Sequence, residues 1–212
     1  MTSVLRRTLA ALAFTSTGWL AATPAAADDV ATCEKASGDE AIAACTRAIN
    51  SGQYSGRELG ALFSIRCFEL NGKKESDKAI ADCSQAISLH ANQASAYLNR
   101  GNAYRAKGQY DRAIADYDQA IRLSPNDAAA FYNRGIAYDD KRQYDRVIED
   151  FDQAIRLNPR HAKAFYNRGK SQERNNDLQR ALADFRMFAE LAPSDPDGRK
   201  AVERVTKALR GW

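Results

Sequence analysis

The sequence predicts an all-α fold, a solenoid of 34-residue helical hairpins that ends in a C-terminal capping helix. Three observations predict it. Residues 94–127 align without a gap on residues 128–161 and are identical at 21 of 34 positions. Within each copy, apolar residues recur at helical spacing on either side of a short polar turn. A proline closes each copy, because proline cannot continue a helix.

The first 27 residues have the composition of a cleavable, Sec-type signal peptide. Arg6 and Arg7 precede an apolar stretch over residues 9–20, and three alanines at 25–27 meet two aspartates. A charged start, a short apolar stretch and small residues at the cleavage point are typical of such signals. An uncleaved membrane anchor is the alternative, although the stretch is shorter than the ~20 residues of a spanning helix. We therefore expect a periplasmic or secreted protein with no stable membrane insertion after cleavage.

The charge balance of the mature chain gives no case for a nucleic-acid partner. Cleavage after residue 27 would remove Arg6 and Arg7 and leave 29 basic and 27 acidic residues. A nearly neutral chain lacks the basic surface that binds phosphate backbones or anionic membranes.

All four cysteines lie in the first part of the mature chain. Residues 28–59 are predicted to form a partial helical repeat, and residues 60–93 a degenerate full repeat. An even number of cysteines in an exported chain favours disulfides. We expect the pairs Cys33–Cys45 and Cys67–Cys83, since each bond would close one hairpin. Free buried thiols are the alternative.

Residues 94–127, 128–161 and 162–195 are predicted to be three full repeats. Their pattern is an aromatic residue, a glycine and a tyrosine, then an alanine, an aromatic residue and a proline, and it departs at Val147 and Gln172. In the first copy these are Tyr97, Gly101, Tyr104, Ala113, Tyr117 and Pro125. The second copy has Phe131, Gly135, Tyr138, Val147, Phe151 and Pro159, and the third has Phe165, Gly169, Gln172, Ala181, Phe185 and Pro193. The pattern resembles the tetratricopeptide repeat, and the resemblance implies a right-handed solenoid that binds other proteins.

Each copy also carries an arginine before the repeat glycine and an aspartate sixteen residues later. The pairs are Arg66 and Asp82, Arg100 and Asp116, Arg134 and Asp150, and Arg168 and Asp184. We expect these residues to form repeated ion pairs between helices. A ladder of arginines for anion binding is the alternative.

Residues 196–212 are predicted to form the capping helix. Its apolar stripe consists of Ala201, Val202, Val205, Ala208, Leu209 and Trp212, and its opposite face of Arg199, Lys200, Arg204, Lys207 and Arg210. One apolar face against the last repeat and one polar face toward water are what a solenoid end needs. A basic amphipathic helix that lies on a membrane or docks a partner is the alternative.

No catalytic or metal-binding constellation occurs in the sequence. The only histidines, His90 and His161, lie in predicted loops without metal-ligand spacing, and the carboxylates recur with the repeat. We therefore expect neither an enzyme nor a cofactor or metal ion.

The resemblance places the first helix of each repeat in a concave groove that holds extended peptides. The peptide-binding residues that it implies are Asn99, Asn102, Tyr132, Asn133, Lys163, Tyr166 and Asn167. An asparagine amide can both donate to and accept from a peptide backbone, and tyrosine adds stiff contact area. Some family members clamp a C-terminal carboxylate with basic residues, and here that match is partial, because Leu98 stands where a lysine is expected. The alternative is that the asparagines serve the fold alone.

These patterns favour a periplasmic adaptor or holding protein that takes an extended segment of a cell-envelope protein in its groove. The alternative is a structural, self-associating component of a cell-envelope assembly. An undetected hydrolase would need a convergent acid and base, and the sequence offers none outside the periodic positions.

Overall fold

A computed structural model describes the chain from Pro24 to Gly211, with side chains from Asp28 onward. The predicted signal peptide falls on residues 1–27, and residues 1–23 lie outside the described part of the chain. Trp212, the last residue of the predicted cap stripe, lies outside it too.

Eleven α-helices and no strand make up residues 24–211, which confirms the all-α fold class. The first five helices are α1 (Pro24–Lys35), α2 (Gly38–Asn50), α3 (Gly56–Gly72), α4 (Ser76–Leu89) and α5 (Ala94–Ala106). The remaining six are α6 (Tyr110–Leu123), α7 (Ala128–Asp140), α8 (Tyr144–Leu157), α9 (Ala162–Arg174), α10 (Leu178–Leu191) and α11 (Pro196–Leu209).

Short turns and prolines set the ends of the helices in the repeats. The helices α6, α8 and α10 each end two residues before the proline of their copy. Between the two helices of a copy, one residue takes a positive φ of 59° to 71°, and these residues are Lys74, Gly108, Arg142 and Asn176. At Lys74, Arg142 and Asn176 this left-handed residue reverses the chain within a few residues, and α3 packs against α4, α7 against α8 and α9 against α10.

The first of two compact units contains α1 to α5 and ends at Lys107. Its helices pack in chain order, and α3 also packs on α5. Disulfides join Cys33 to Cys45 and Cys67 to Cys83, which confirms both predicted pairs. Their Cα atoms lie 4.8 Å and 5.5 Å apart, within the range of disulfide-bonded residues. Each bond links the two helices of one hairpin in a core of small residues.

The second unit begins at Gly108 and contains α6 to α11, again packed in chain order. The rings of Phe151 and Phe185 are completely buried at its centre. A methyl group added at Gly135 would lie 2.9 Å from the ring of Phe151, and one added at Gly169 would lie 3.0 Å from the ring of Phe185. The repeat glycines therefore leave room for the aromatic side chain of the partner helix.

The last helix, α11, packs on α10 as the predicted cap, but its buried apolar stripe is shorter than expected. Asp195 accepts a hydrogen bond from the backbone of α11 and caps its start. Ala201 and Val205 are completely buried and pack with residues of α10. Ala208 and Leu209 are exposed, because no later helix among the described residues covers that turn.

Among residues 24–211, no helix combines the length and apolar composition that a membrane crossing requires.

Candidate peptide-binding surfaces

The seven predicted peptide-binding residues divide between the two units. Asn99 and Asn102 lie on α5, in the first unit, and the other five lie on α7 and α9, in the second. We call these the α5 surface and the α7–α9 surface, and each is described by itself.

On the α5 surface, the predicted residues are less accessible than the sequence suggested. Asn99 is only 9% exposed, and its backbone carbonyl accepts a 2.8 Å hydrogen bond from the side-chain amide of Asn71 on α3. Asn102 is half-buried. Phe68, one period before Asn102 on α3, is 53% exposed. The sequence prediction missed Phe68, although the 34-residue offset from Asn102 would have found it.

On the α7–α9 surface, Tyr132 is held in place by contacts on several sides. Its ring lies 4.6 Å from that of His161 and 5.7 Å from that of Phe151, centroid to centroid. Its hydroxyl accepts a 3.0 Å hydrogen bond from the side-chain amide of Asn167. Two of the predicted residues therefore meet each other, so Asn167 orients the tyrosine, while Asn133 beside it is half-buried.

Tyr166 is anchored in a similar way by the helix that follows. Its ring lies 5.7 Å from the ring of Phe185 and 4.8 Å from that of Phe188. The ammonium group of Lys170 lies 5.8 Å from the centre of the tyrosine ring. Burial raises the pKa of Tyr166, with a further contribution from the charge of Asp197. The phenol therefore stays neutral and presents a rigid aromatic edge at physiological pH.

A shallow depression of about 460 Å³ adjoins Tyr166. It is lined by Tyr166, Lys170, Glu173, Arg174 and Arg204. Two of its cations are paired, because Arg204 donates to Glu173 at 2.8 and 2.9 Å and Arg174 donates to Asp139. The depression is large enough for one or two side chains of a bound segment.

His161 stands directly before α9, and its ring contacts the ring of Tyr132. Its Nδ1 accepts a 3.2 Å hydrogen bond from the backbone N–H of Ala164, so the neutral ring caps the helix. Burial lowers the pKa of His161, and the charge of Lys163 lowers it further. The imidazole is therefore neutral at pH 7 and serves as a cap and as a platform for Tyr132.

Three of the predicted arginine–aspartate pairs join the two helices of a hairpin. Bidentate hydrogen bonds of 2.6 to 2.9 Å join Arg66 to Asp82, Arg134 to Asp150 and Arg168 to Asp184, which confirms three of the four expected pairs. The fourth expected pair, Arg100 and Asp116, has its residues in different units and stays a prediction.

A second carboxylate, which the sequence prediction missed, completes the network in the second unit. Arg134 also donates to Asp118 at 2.6 Å, and Arg168 donates to Asp152 at 2.6 Å. Each guanidinium therefore joins its own hairpin to the second helix of the preceding one. Burial alone would lower the pKa of Arg134, but its hydrogen bonds to Asp150 and Asp118 outweigh this and raise it above the usual value. These arginines therefore serve to hold neighbouring hairpins together.

No group of three or more His, Cys, Asp or Glu side chains within the described residues is arranged to hold a metal ion.

Three family models of one repeat family match the chain. One described as TPR repeat matches residues 101–141, and two described as tetratricopeptide repeat match residues 132–196 and 83–115. Together they span residues 83–196, which is more than half of the chain. No curated protein matches the sequence.

Several solved structures are similar to this chain. A MamA fragment from Desulfovibrio magneticus RS-1 has a TM-score of 0.69 and 21% identity, and the alignment covers 82% of this chain and 98% of that one. YrrB, described as a TPR protein with an unusual peptide-binding site, has a TM-score of 0.66 and 22% identity, over 80% of this chain and 85% of that one. At these identities the likeness shows the fold.

A third similar structure is the first TPR of Spaghetti (RPAP3), solved with a bound HSP90 peptide. It has a TM-score of 0.54 and 26% identity, and the alignment covers 55% of this chain and 93% of that one.

Proposed function

Because the chain belongs to the tetratricopeptide-repeat family, we propose that it is a non-enzymatic adaptor or holding protein. Its ligand is an extended segment of another protein, and the α5 surface and the α7–α9 surface are each a candidate to bind it. Two of the similar structures are described as having a peptide-binding site or a bound peptide, which supports this class of function.

One observation carries the proposal: side chains that differ between the copies lie partly exposed on the first helices. Leu98, Tyr132 and Tyr166 share one repeat position, and all three are half-buried. Many residues that the copies share, such as the repeat glycines and the arginine–aspartate pairs, instead lie in the core or hold the helices together. A fold dictates its core but leaves its surface free to carry specificity. Rigid, partly exposed tyrosines are common anchors at interfaces.

The proposed location is the periplasm or the extracellular space. Two disulfides in the first unit support an oxidising compartment, since such bonds are rare in a reducing cytosol. The signal peptide predicted over residues 1–27 agrees with export. The proposed partner is therefore a protein of the cell envelope.

Selection from a random peptide display library tests this function. The mature chain is immobilised beside a variant with Asn102→Ala, Asn133→Ala and Lys163→Ala, and beside a matched control with Gln179→Ala, Arg186→Ala and Glu190→Ala on the exposed side of α10. We expect the wild type and the control to enrich the same peptides and the first variant to lose them. Circular dichroism first establishes equal helicity. Enrichment of no peptide by the wild type would overturn the proposal.

A second candidate function, structural self-association, is favoured by the opposite charges of the two ends of the chain. Residues 28–50 carry five acidic and two basic residues, whereas residues 196–210 carry two acidic and five basic residues. Head-to-tail contact between copies would bring these segments together. Sedimentation velocity at low and high salt tests this candidate, because such contacts weaken as salt screens the charges. A strict monomer at low salt and high concentration removes it.

A further inference from the structure

Two lysines on α9 occupy positions where the other copies carry no charge. The position of Lys163 holds Ala61, Ser95 and Ala129 in the other copies, and the position of Lys170 holds Phe68, Asn102 and Ile136. The first helix of the repeat also forms with alanine, serine, asparagine, isoleucine or phenylalanine at these positions. The fold therefore does not require either lysine.

Neither lysine is neutralised within the molecule. Among the described residues, no carboxylate forms an ion pair with Lys163 or Lys170, and the Lys170 ammonium lies over the ring of Tyr166. Lys163 is exposed and Lys170 is half-buried.

The acidic groups nearby are already engaged. Glu173 pairs with Arg204, and Asp195 caps the start of α11. Asp197 lies 3.9 Å from Lys200, and Asp139 pairs with Arg174. The two lysines are therefore cations without a carboxylate partner on this part of the α7–α9 surface.

The two lysines flank Tyr166 on one side of the helix. They stand three residues before and four residues after it, a spacing that places all three on one face. Seven residues of helix separate the lysine Cα atoms by about 10.5 Å. Side chains three residues apart in a polyproline II segment lie on one face about 9 Å apart, so two carboxylates of one extended segment can reach both ammonium groups.

We propose that the α9 part of the surface binds an extended acidic segment. Two side-chain carboxylates pair with Lys163 and Lys170, and an apolar side chain of the same segment packs on Tyr166 beside the depression. This inference rests on the proposed function and adds the class of ligand. It requires no C-terminal carboxylate, because the two charges that it uses lie two helical turns apart.

Fluorescence anisotropy with a defined probe tests the inference. The probe is Gly-Ser-Asp-Phe-Gly-Asp-Phe-Ser-Gly, amidated at its C-terminus and labelled with a neutral fluorophore. Its matched counterpart has both aspartates replaced by asparagine. At low salt, we expect the mature wild type to bind the acidic probe at least tenfold more tightly. Equal binding of the two probes, or no binding of either, would overturn the inference.

Charge reversal locates the site. A variant with Lys163→Glu and Lys170→Glu should bind the acidic probe at least tenfold more weakly and the asparagine probe within about twofold of wild type. The matched control, Lys35→Glu with Lys207→Glu, makes the same change in net charge on exposed positions of α1 and α11. We expect it to bind the acidic probe within about twofold. An equal loss in both variants would show a general charge effect and sink the inference.

Two further outcomes separate this inference from the proposed function. If the display library yields peptides without acidic enrichment, the function stands and the acidic ligand class falls. If the same probe with a free C-terminal carboxylate binds tenfold better than the amidated one, the site recognises a chain terminus, which also overturns the inference.

Discussion

Arg134 joins three helices through one guanidinium group, which donates to Asp150 on α8 and to Asp118 on α6. The side chain of Asp150 is only 4% exposed. Removing the arginine leaves a buried carboxylate without its cation, and the loss of one partner of a buried pair costs about 3 to 5 kcal/mol. We expect Arg134→Ala to lower the free energy of unfolding by about 3 kcal/mol, since the guanidinium is partly hydrated. Urea unfolding followed by circular dichroism measures it.

Arg122→Ala is the matched control for this change. Arg122 also lies in the second unit, but it is exposed and donates to Gln119 one turn away. Loss of such a surface contact changes stability by about 0.5 kcal/mol or less. Arg134→Lys should fall between the two, because an ammonium group cannot make the bidentate pair. Equal urea midpoints for the two alanine variants would show that the network contributes nothing.

The cap of α9 should make stability depend on pH. Burial lowers the pKa of His161 in the folded chain below its usual value near 6.5. Between the lowered pKa and 6.5, the unfolded chain binds more protons than the folded one, so stability decreases as the pH falls through this window. We expect a lower melting temperature at pH 5.5 than at pH 7.5. The loss should not exceed about 1 kcal/mol, the usual contribution of a helix cap.

His161→Asn tests whether this residue is the source of the effect. Asparagine caps a helix without titrating near neutral pH, so the part of the pH dependence that His161 causes should disappear. The variant His90→Asn, which removes the other histidine of the chain, is the matched control for this substitution. The same melting difference in the wild type and in His161→Asn would contradict the assignment.

At the residue scale, the sequence predicted contacts within a copy better than contacts between copies. The sixteen-residue offset from Arg134 to Asp150 was visible because both residues belong to one hairpin. Asp118 lies sixteen residues before Arg134, at the same offset in the opposite direction, but its contact depends on how two hairpins pack. Packing between hairpins follows from side-chain volumes in three dimensions, which a period alone does not give.

Gly135 lies where α7 packs against α8, so a side chain at this position would change the packing of this hairpin. A Cβ atom at Gly135 would lie 2.9 Å from the ring of Phe151 and 3.2 Å from Asp150. Alanine improves helix propensity by about 1 kcal/mol, but overpacking against a buried ring costs about 1 to 3 kcal/mol. We therefore expect Gly135→Ala to lower the free energy of unfolding by up to about 2 kcal/mol in urea titrations.

Gly72→Ala is the control that separates propensity from packing. Gly72 ends α3, and a Cβ atom there would meet nothing within 4 Å. This substitution should leave stability unchanged or raise it by up to about 1 kcal/mol. If both glycine variants shift stability in the same direction, packing against Phe151 is not the reason for the glycine.

At the element scale, helix ends were predictable where the chain itself enforces them. The helices α6, α8 and α10 each end two residues before a proline, and Gly108 has the positive φ that glycine favours. The same backbone angle at Arg142 was not readable from residue type, whereas asparagine, as at Asn176, adopts it more often than other non-glycine residues. The cap stripe was overestimated for a related reason, since periodicity describes a face of α11 but not how far its neighbour extends along it.

At the scale of the whole molecule, the fold was predictable because, within each unit, the helices pack mainly on their neighbours in sequence. The binding surface was less predictable from the sequence. Sequence position placed Asn99 among the candidate ligands, yet it is 9% exposed, and Tyr132 and Asn167 engage each other. The accessibility of a side chain depends on which side chains of adjacent helices cover it. The binding surface can therefore be defined only from the folded structure.

The disulfides should stabilise one half of the chain more than the other. They close segments of 12 and 16 residues in α1–α2 and α3–α4, and loops of this size gain about 3 kcal/mol each from cross-linking. Because a repeat array is stabilised by local contacts, a lost cross-link acts first on its own hairpin. We expect Cys67→Ser with Cys83→Ser to reduce hydrogen-exchange protection in α3 and α4 while α8 and α10 keep theirs.

Reduction of the wild type supplies the matching experiment, and it is carried out under denaturing conditions because both sulfur pairs are completely or almost completely buried. After reduction and refolding, protection should fall in α1 to α4, and the melting curve should gain an early phase. The second unit contains no cysteine, so its exchange rates should match those of the oxidised protein. Unchanged protection in α1 to α4, or an equal loss in α8 and α10, would mean that the cross-links do not act locally and that stability is shared along the whole chain.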